Sequence, residues 1–318
     1  MHPFFLLRDQ LSLLQFDPQR DSPASQQPFL KEYLQFYQLN FPHTICQKHC
    51  AGIFEAANYT IAAQYFLPAL SPAKGTVFVL HGYYDHVGLF RHIIQFLLEQ
   101  GFAVVAYDQP GHGLSSGAQA SINHFTEYAE VLQRCLHLGE AHFPKPWHGL
   151  GQSTGAAVLL HGLLIEKISV LNKIVLLAPL IRPNGWNTGV WSYRLLKSFV
   201  KKIPRHFAHN SNDENFVTFC RDQDPLQSRY LSVKWVGAMK EWLECFPVLT
   251  ATTASALLIQ GEADTTVDWR YNTPLIQGKL AGVSIQFIPE AHHHLVNESE
   301  ALRKPIFSAI QQFLLASS

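Results

Sequence analysis

Short apolar segments alternate with amphipathic ones along most of the chain from residue 76 onward. The apolar segments have the length and composition of buried strands: 76–80, 103–107, 148–151, 173–178, 256–260 and 284–288. Apolar residues at helical spacing fill several of the intervals: 89–100, 125–138 and 155–167. This alternation is typical of βαβ units, so we predict an α/β fold with a mostly parallel central sheet and helices on both faces.

Other patterns precede this alternation. Residues 52–66 alternate around Asn58, which predicts two antiparallel strands joined by a turn. Apolar residues near the N-terminus recur at helical spacing: Phe4, Leu7, Leu11 and Leu14. We therefore predict a helical extension over residues 1–45, interrupted by a loop at 17–28, where Pro, Ser and Gln are frequent. Its apolar stripe has two interpretations, a helix packed on the body of the protein and a peripheral anchor in a membrane interface.

The strand and helix alternation stops after Leu180 and resumes at Leu257. The segment between them is rich in large aromatic side chains: Trp186, Trp191, Tyr193, Trp235 and Trp242. We expect a largely helical cap that covers the strand ends and encloses an apolar pocket. The predicted organisation is an extension (1–45), a first part of the α/β core (46–180), the cap (181–250) and a second part of the core (251–318).

Composition narrows the classes of function. The 318 residues include 24 basic and 24 acidic side chains, and charged residues make up 15% of the chain. Proteins that neutralise nucleic-acid phosphates need a basic surface, so no nucleic-acid partner is expected. No apolar run approaches the ~20 residues that cross a bilayer. The N-terminus also lacks the basic region and cleavage site of a secretory signal, so we expect a cytoplasmic protein.

Histidines and cysteines raise the question of a metal site. Four candidate ligands lie close together: His43, Cys46, His49 and Cys50. Structural zinc sites usually join two separated ligand pairs, and no second pair accompanies these residues. The run 292–294 is three adjacent histidines, which on a loop seldom point at one ion. Because no dinucleotide-binding or phosphate-binding glycine motif is present either, no metal and no cofactor is expected.

A serine stands between two glycines where a strand is predicted to turn into a helix. The sequence GQSTG, centred on Ser153, follows the predicted strand 148–151. In a nucleophile elbow, such a sharp turn strains the serine backbone and presents Oγ above the sheet. Glycines two residues to either side, here Gly151 and Gly155, avoid a steric collision. Ser153 is therefore the candidate nucleophile.

A serine nucleophile needs a base, a group that orients the base, and N–H donors for the oxyanion. Serine hydrolases with this elbow have the chain order serine, acid, histidine. After Ser153, Asp264 and Asp268 follow one predicted strand and histidines 292–294 follow the last one. Residue chemistry leaves the choice within each group open. The main-chain N–H groups of Tyr83 and Thr154 are the candidate oxyanion donors.

Several further motifs accompany the serine in a fixed order. They are HGxxxH at 81–86, DxxGHGxS at 108–115, GxSxG at 151–155, GxAD at 261–264 and HxLxNE at 293–298. Together they resemble the monoacylglycerol lipase and lysophospholipase branch of the α/β-hydrolase superfamily, often described as serine-aminopeptidase-like hydrolases. The resemblance covers roughly residues 75–315 and implies an α/β-hydrolase fold with an inserted helical cap.

The resemblance also implies roles that chemistry leaves open. Asp264 is similar to the acid of the family's triad, in preference to Asp268. His293 aligns with the family's base, with His292 as the alternative. The sequence departs from the family at several positions near the site: Gln152, Thr154, Gln109, His294 and Tyr83. These departures concern the substrate rather than the class of reaction.

The function implied is that of a serine hydrolase that cleaves carboxylic esters of lipid type, a monoacylglycerol or a lysophospholipid. Catalysis would use Ser153, His293 and Asp264, with an acyl-enzyme and the N–H groups of Tyr83 and Thr154. A peptidase or acyltransferase on the same scaffold is one alternative, and a non-catalytic binding protein for a lipid or small ligand is another. A lipid-like ester is the partner implied, and no protein partner is.

Overall fold

The computed structural model describes residues 2–186 and 200–316 of the chain. The described strands are β1 (Cys46–Ala56), β2 (Tyr59–Pro68), β3 (Thr76–Leu80), β4 (Ala103–Tyr107), β5 (Trp147–Gln152), β6 (Leu171–Leu177), β7 (Lys202–Pro204), β8 (Tyr230–Ser232), β9 (Ala256–Gly261) and β10 (Ser284–Ile288). Eight of these form one sheet in the order β1-β2-β4-β3-β5-β6-β9-β10. Within it β2 runs antiparallel to both neighbours and the other pairs are parallel, as predicted.

The described α-helices connect and cover these strands. They are α1 (Lys31–Phe36), α2 (Arg91–Glu99), α3 (Thr126–Gly139), α4 (Thr154–Leu164), α5 (Glu214–Thr218), α6 (Val233–Cys245), α7 (Trp269–Lys279) and α8 (Glu300–Leu315). The helices predicted at 89–100, 125–138 and 155–167 correspond to α2, α3 and α4, and they differ mainly at their ends. None of the described helices has the length and apolar content that crossing a membrane requires.

Both faces of the sheet are buried, which explains why its strands are apolar without alternation. In β3, Val77 and Val79 pack into one hydrophobic cluster, whereas Phe78 and Leu80 pack into another. The first cluster includes side chains of α2 and α8, and the second includes those of α3 and α4. The prediction of helices on both faces is thus confirmed.

The predicted hairpin forms the antiparallel edge of the sheet. β1 and β2 pair from Cys46 with Pro68 to Ala56 with Tyr59. The turn residues Ala57 and Asn58 have φ of 50° and 63°. Two consecutive positive φ angles match the twist of a two-residue hairpin, and Asn tolerates this conformation well. Of the four candidate metal ligands in this region, His49 is engaged elsewhere. Its Nε2 lies 2.9 Å from Gln64 Oε1, and its ring stacks on Phe66.

The first part of the N-terminal extension is not the amphipathic α-helix that the spacing of its apolar residues predicts. Residues 2–45 contain short 3₁₀ turns and one six-residue α-helix, α1. Prolines recur at 18, 23 and 28, and each lacks the N–H that a continuing helix needs. The apolar stripe is buried all the same: Phe4, Leu7, Leu11 and Leu14. Because these side chains pack on the body, they are not a membrane-facing surface.

The segment between β6 and β9 lies outside the sheet, as the interruption of the pattern indicates. Its described part contains the ribbon of β7 and β8, the helix α5, a π-helical turn at Phe219–Gln223 and α6. Trp191 and Tyr193 fall outside the described residues. Trp242 is buried, and its indole N–H donates to Leu180 O at 3.1 Å. The domain boundaries at 45, 180 and 250 stay predictions.

Candidate active site

Ser153 occupies a strained turn between β5 and α4. Its backbone angles are φ 55° and ψ −111°, a conformation that residues other than glycine rarely adopt. A Cβ atom at Gly151 would lie 2.4 Å from the carbonyl carbon of Gly155, and one at Gly155 would lie 2.2 Å from Leu80 O. Both glycines are therefore sterically required. The turn places the Ser153 side chain at the carboxyl edge of the parallel strands, where ligands bind in such sheets.

His293 and Asp264 meet because β9 and β10 are adjacent and parallel. The loop after β9 carries Asp264, and the loop after β10 carries His293. A Cβ atom at Gly261 would lie 2.3 Å from Ala291 O, so this glycine allows the two loops to approach each other. As a result, Nδ1 of His293 lies 2.8 Å from Oδ2 of Asp264, and both side chains are buried.

The Asp264 carboxylate is held by several donors. Besides His293, it accepts hydrogen bonds from the Gln260 amide at 3.0 Å and from the N–H groups of Thr266 and Val267 at 2.8 and 3.1 Å. Burial alone would raise the pKa of Asp264, but His293 and these donors more than offset burial and lower it. An ionised carboxylate only accepts hydrogen bonds. Nδ1 of His293 must therefore carry a proton, which leaves Nε2 free to act as a base.

The alternatives from the sequence lie in different surroundings. Asp268 forms an ion pair with Arg182, and its carboxylate accepts from Tyr271 N–H at the start of α7. His292 donates its main-chain N–H to Glu298 at 2.6 Å, and its ring packs against His209. Neither side chain is joined to Asp264 or His293 by a hydrogen bond among the described residues.

Ser153 and His293 line the same cavity, whose volume is about 410 Å³. Apolar side chains from the inserted segment make up much of its described wall: Trp186, Ile203, Leu231, Val233, Trp235 and Val236. A volume of this size lies within the range of ~300–1,000 Å³ that small-molecule sites occupy. The arrangement is an apolar pocket beside a serine, a histidine and a carboxylate.

The candidate oxyanion donors lie on either side of Ser153. Thr154 is the first residue of α4, so its N–H has no partner within the helix. The loop of Gly82 and Tyr83 passes close to the serine, because a Cβ atom at Gly82 would lie 3.3 Å from Ser153 Cβ. The Tyr83 side chain is held by packing: its ring stacks on Trp235 and its hydroxyl donates to Ala120 O at 2.7 Å.

Several polar residues around the site escape prediction from the sequence. Gln152 donates its side-chain N–H to the main-chain carbonyl of His293 at 2.8 Å, which ties the His293 loop to the turn at Ser153. His294 Nε2 lies 3.1 Å from Asp85 Oδ2, a second buried histidine–carboxylate pair that also lines the cavity. The sequence signal for this pair is present, since Asp85 lies within HGxxxH and His294 directly follows His293. Arg205 lines the cavity as well, and no motif marks it.

A further buried pair joins three regions of the chain. His86 Nε2 lies 2.9 Å from Asp224 Oδ2, and the hydroxyl of Tyr37 donates to Asp224 Oδ1 at 2.7 Å. Burial opposes charge on His86, but the Asp224 carboxylate more than offsets this and raises the pKa of the imidazole. The N-terminal extension, the loop after β3 and the inserted segment are thereby connected next to the site.

Comparison with known proteins agrees with this architecture. Residues 71–300 match the family model described as serine aminopeptidase, S33. Human monoglyceride lipase is 22% identical over 286 residues, covering 86% of this chain and 92% of that protein. An uncharacterized abhydrolase domain-containing protein from Dictyostelium discoideum is 30% identical over 124 residues, which are 39% of this chain and 13% of that protein.

A solved structure shows the same fold. A soluble variant of monoglyceride lipase from Saccharomyces cerevisiae, in complex with a substrate analog, superposes with a TM-score of 0.71 at 16% identity. The match covers 83% of this chain and 94% of that one. The chain therefore belongs to the serine aminopeptidase S33 family and, within the α/β-hydrolase superfamily, to the branch that resembles monoacylglycerol lipase.

Proposed function

We propose that this protein is a serine hydrolase that cleaves carboxylic esters of lipid type, with Ser153 as nucleophile, His293 as base and Asp264 as the acid that orients the base. The observation that carries the proposal is the 2.8 Å contact of His293 Nδ1 with Asp264, formed by a histidine that shares a cavity with the strained Ser153. A base must be oriented by a third group to activate a serine, and this contact supplies that orientation.

The reaction follows from the tautomer of His293. Ser153 Oγ attacks the ester carbonyl carbon while its proton passes to Nε2 of His293. The main-chain N–H groups of Tyr83 and Thr154 bind the negative oxygen of the tetrahedral intermediate. His293 then gives its proton to the departing alcohol, and the same imidazole deprotonates the water that hydrolyses the acyl-enzyme. Asp264 stays ionised throughout and stabilises the imidazolium.

The cavity favours an apolar acyl chain as substrate. Its described surroundings include Trp186, Trp235 and several aliphatic side chains, which bind methylene groups by burying them from water. Relatives named monoglyceride lipase support a lipid ester. We accordingly propose a monoacylglycerol or lysophospholipid, handled in the cytoplasm, where the five free thiols would stay reduced.

Labelling of the serine tests the nucleophile. A fluorophosphonate probe is expected to label the wild-type protein, and Ser153→Ala should abolish labelling and lower kcat for a p-nitrophenyl ester by about 10⁴-fold or more. Ser25→Ala, at an exposed serine away from the cavity, is the matched control and should label normally. Labelling that persists in Ser153→Ala would refute the assignment.

A substrate panel tests the class of ester. Turnover of p-nitrophenyl esters is expected to rise from acetate to medium and long acyl chains, because each added methylene can be buried in the cavity. A sharp preference for acetate would contradict the lipid proposal. Faster release from an aminoacyl amide, or acyl transfer to an added alcohol that outpaces hydrolysis, would favour the peptidase or acyltransferase alternative.

A further inference from the structure

A cation lines the proposed catalytic cavity without a direct ion pair to any of the described residues. Arg205 follows β7 and contributes to the wall that also includes Ser153, His293 and His294. No carboxylate of the described residues lies within ion-pair distance of its guanidinium, although ion pairs occur elsewhere in the same part of the chain. Burial lowers the pKa of Arg205, because the guanidinium is less hydrated there than in water. An arginine nevertheless stays charged in proteins.

The guanidinium is held in one orientation before any ligand arrives. Nη1 donates to Gln227 Oε1 and to Ser228 O. The guanidinium carbon lies 3.8 Å from the ring centroid of Tyr84 and 4.2 Å from that of Phe207. Its Nε and Nη2 groups make no hydrogen bond to the described residues. A fixed guanidinium with free N–H groups is suited to binding the paired oxygens of a carboxylate or phosphate.

The carboxylate that shares the cavity wall with Arg205 already has partners. Asp85 also lines the cavity, but its Oδ2 accepts hydrogen bonds from Gly82 N–H at 3.2 Å and pairs with His294 Nε2 at 3.1 Å. Burial would raise the pKa of Asp85, but His294 more than offsets this and lowers it, so Asp85 and His294 form a partnered unit. Arg205 acts on Asp85 only at longer range.

Two charged side chains of the cavity wall, Asp85 and Arg205, also line a small recess beside it. Other polar residues of the wall, such as Asn184 and Thr266, lie outside this recess. The recess shares Asp85, Arg205, Ala208, Asn210 and His294 with the cavity wall, and its other lining residues are Phe207, Phe216, Val217, Cys220 and Gln227. The apolar residues Leu231, Val233 and Trp235 line the cavity but not this recess. An ester with an apolar acyl chain and a charged group at its other end matches such a division.

We propose that Arg205 is a specificity-determining residue that binds an anionic group, a phosphate or a carboxylate, on the alcohol part of the ester. The proposal rests on the proposed function, because it needs Ser153 to cleave the same molecule. Arg205 would then make the enzyme prefer acyl esters whose alcohol part carries a negative charge over neutral monoacylglycerols.

Three esters with the same oleoyl chain test this selection. The probes are 1-oleoyl glycerol (neutral), 1-oleoyl lysophosphatidic acid (phosphate) and the oleoyl ester of lactic acid (carboxylate). The wild-type enzyme is expected to show a higher kcat/KM for one or both acidic esters than for the neutral one. Preference for the phosphate or for the carboxylate tells which group the site takes. A higher kcat/KM for oleoyl glycerol than for both acidic esters would overturn the proposal.

Variants locate the effect. Arg205→Gln is expected to lower kcat/KM for the preferred acidic ester by about 10- to 100-fold, the range expected for a charge-assisted hydrogen bond, and to change the neutral ester little. Arg205→Lys keeps the positive charge but lacks the paired N–H groups of the guanidinium. Its kcat/KM for the acidic ester should lie between those of the wild type and Arg205→Gln. Arg229→Gln removes an exposed positive charge from the same region and is the matched control. An equal loss for all three esters in Arg205→Gln would assign Arg205 a structural role instead.

A measurement on the wild-type protein avoids dependence on the variant's folding. Glycerol 3-phosphate and lactate are expected to inhibit p-nitrophenyl ester turnover at lower concentration than glycerol does. Equal inhibition by all of them would overturn the proposal. If the wild-type protein neither reacted with the fluorophosphonate probe nor hydrolysed any ester, the proposed function itself would be refuted. Failure of the Arg205 proposal and failure of the proposed function are therefore distinguishable.

Discussion

At the scale of single residues, two aspartates that are close in sequence make different contacts. Asp264 and Asp268 both follow β9, and their side-chain chemistry is identical. The structure gives Asp264 the contact with His293 and gives Asp268 an ion pair with Arg182. The surroundings of each carboxylate, rather than its identity, separate the two roles.

Replacing each aspartate by asparagine tests this separation. Asp264→Asn is expected to lower kcat by about 10⁴-fold, since the amide can favour the wrong tautomer of His293. Asp268→Asn should leave kcat largely unchanged and cost about 0.5–1 kcal/mol of unfolding free energy, because its ion pair with Arg182 is partly exposed. Steady-state kinetics and urea unfolding measure the two effects. A large fall in kcat in Asp268→Asn, with Asp264→Asn active, would reverse the assignment.

At the scale of elements, the inserted segment is joined to the loop that carries a candidate oxyanion donor. The ring of Tyr83 stacks on Trp235 of α6 with centroids 3.7 Å apart and planes 19° apart. Its hydroxyl reaches Ala120 O on the core side. The bulky residue at this position therefore ties the loop after β3 to α6, so that the packing of α6 bears on where the Tyr83 N–H points.

Removing the stacked ring should weaken catalysis more than binding. Trp235→Leu is expected to lower kcat about tenfold. The upper limit is the ~10²–10³-fold loss of kcat that follows removal of an oxyanion donor. Tyr83→Phe keeps the stacked ring and loses only the hydroxyl, so its kcat should fall less. Kinetics are measured well below the melting temperature of each variant. A Trp235→Leu enzyme with a lower Tm but unchanged kcat would limit the stack to packing.

At the scale of the whole molecule, burial of neutral histidines makes the fold sensitive to acid. Burial lowers the pKa of several imidazoles to about 3 or 4: His49, His81, His92, His112 and His148. An unfolded histidine has a pKa of about 6.5. Between these pKa values the unfolded chain binds more protons than the folded one. The contribution of these histidines to the free energy of unfolding is therefore fully present above pH ~6.5 and is lost as the pH falls toward 4.

The free energy of unfolding should follow this linkage. Each such histidine is expected to contribute a slope of up to about 1.4 kcal/mol per pH unit in that window. His49→Gln, which keeps a polar partner for Gln64 but does not titrate, should reduce the slope of the urea-derived free energy between pH 6.5 and 4 by about this amount. His137→Gln, at an exposed histidine, is the control. An unaltered slope in His49→Gln would show that this imidazole stays protonated in the fold.

The sequence by itself determined the sheet, its helices and the motifs. The burial of both sheet faces leaves continuous apolar strands, and the elbow needs glycines at 151 and 155, so both are visible as local patterns. The helix predicted for the first residues was wrong, because short 3₁₀ turns can bury side chains at the same spacing. The family resemblance already favoured Asp264 and His293 over their neighbours, but only the tertiary structure showed that these two side chains meet, that Gln152 holds the His293 loop and that Arg205 lines the cavity. These contacts join loops distant in sequence, and the close approach of one chain segment to another leaves no periodic signal in either.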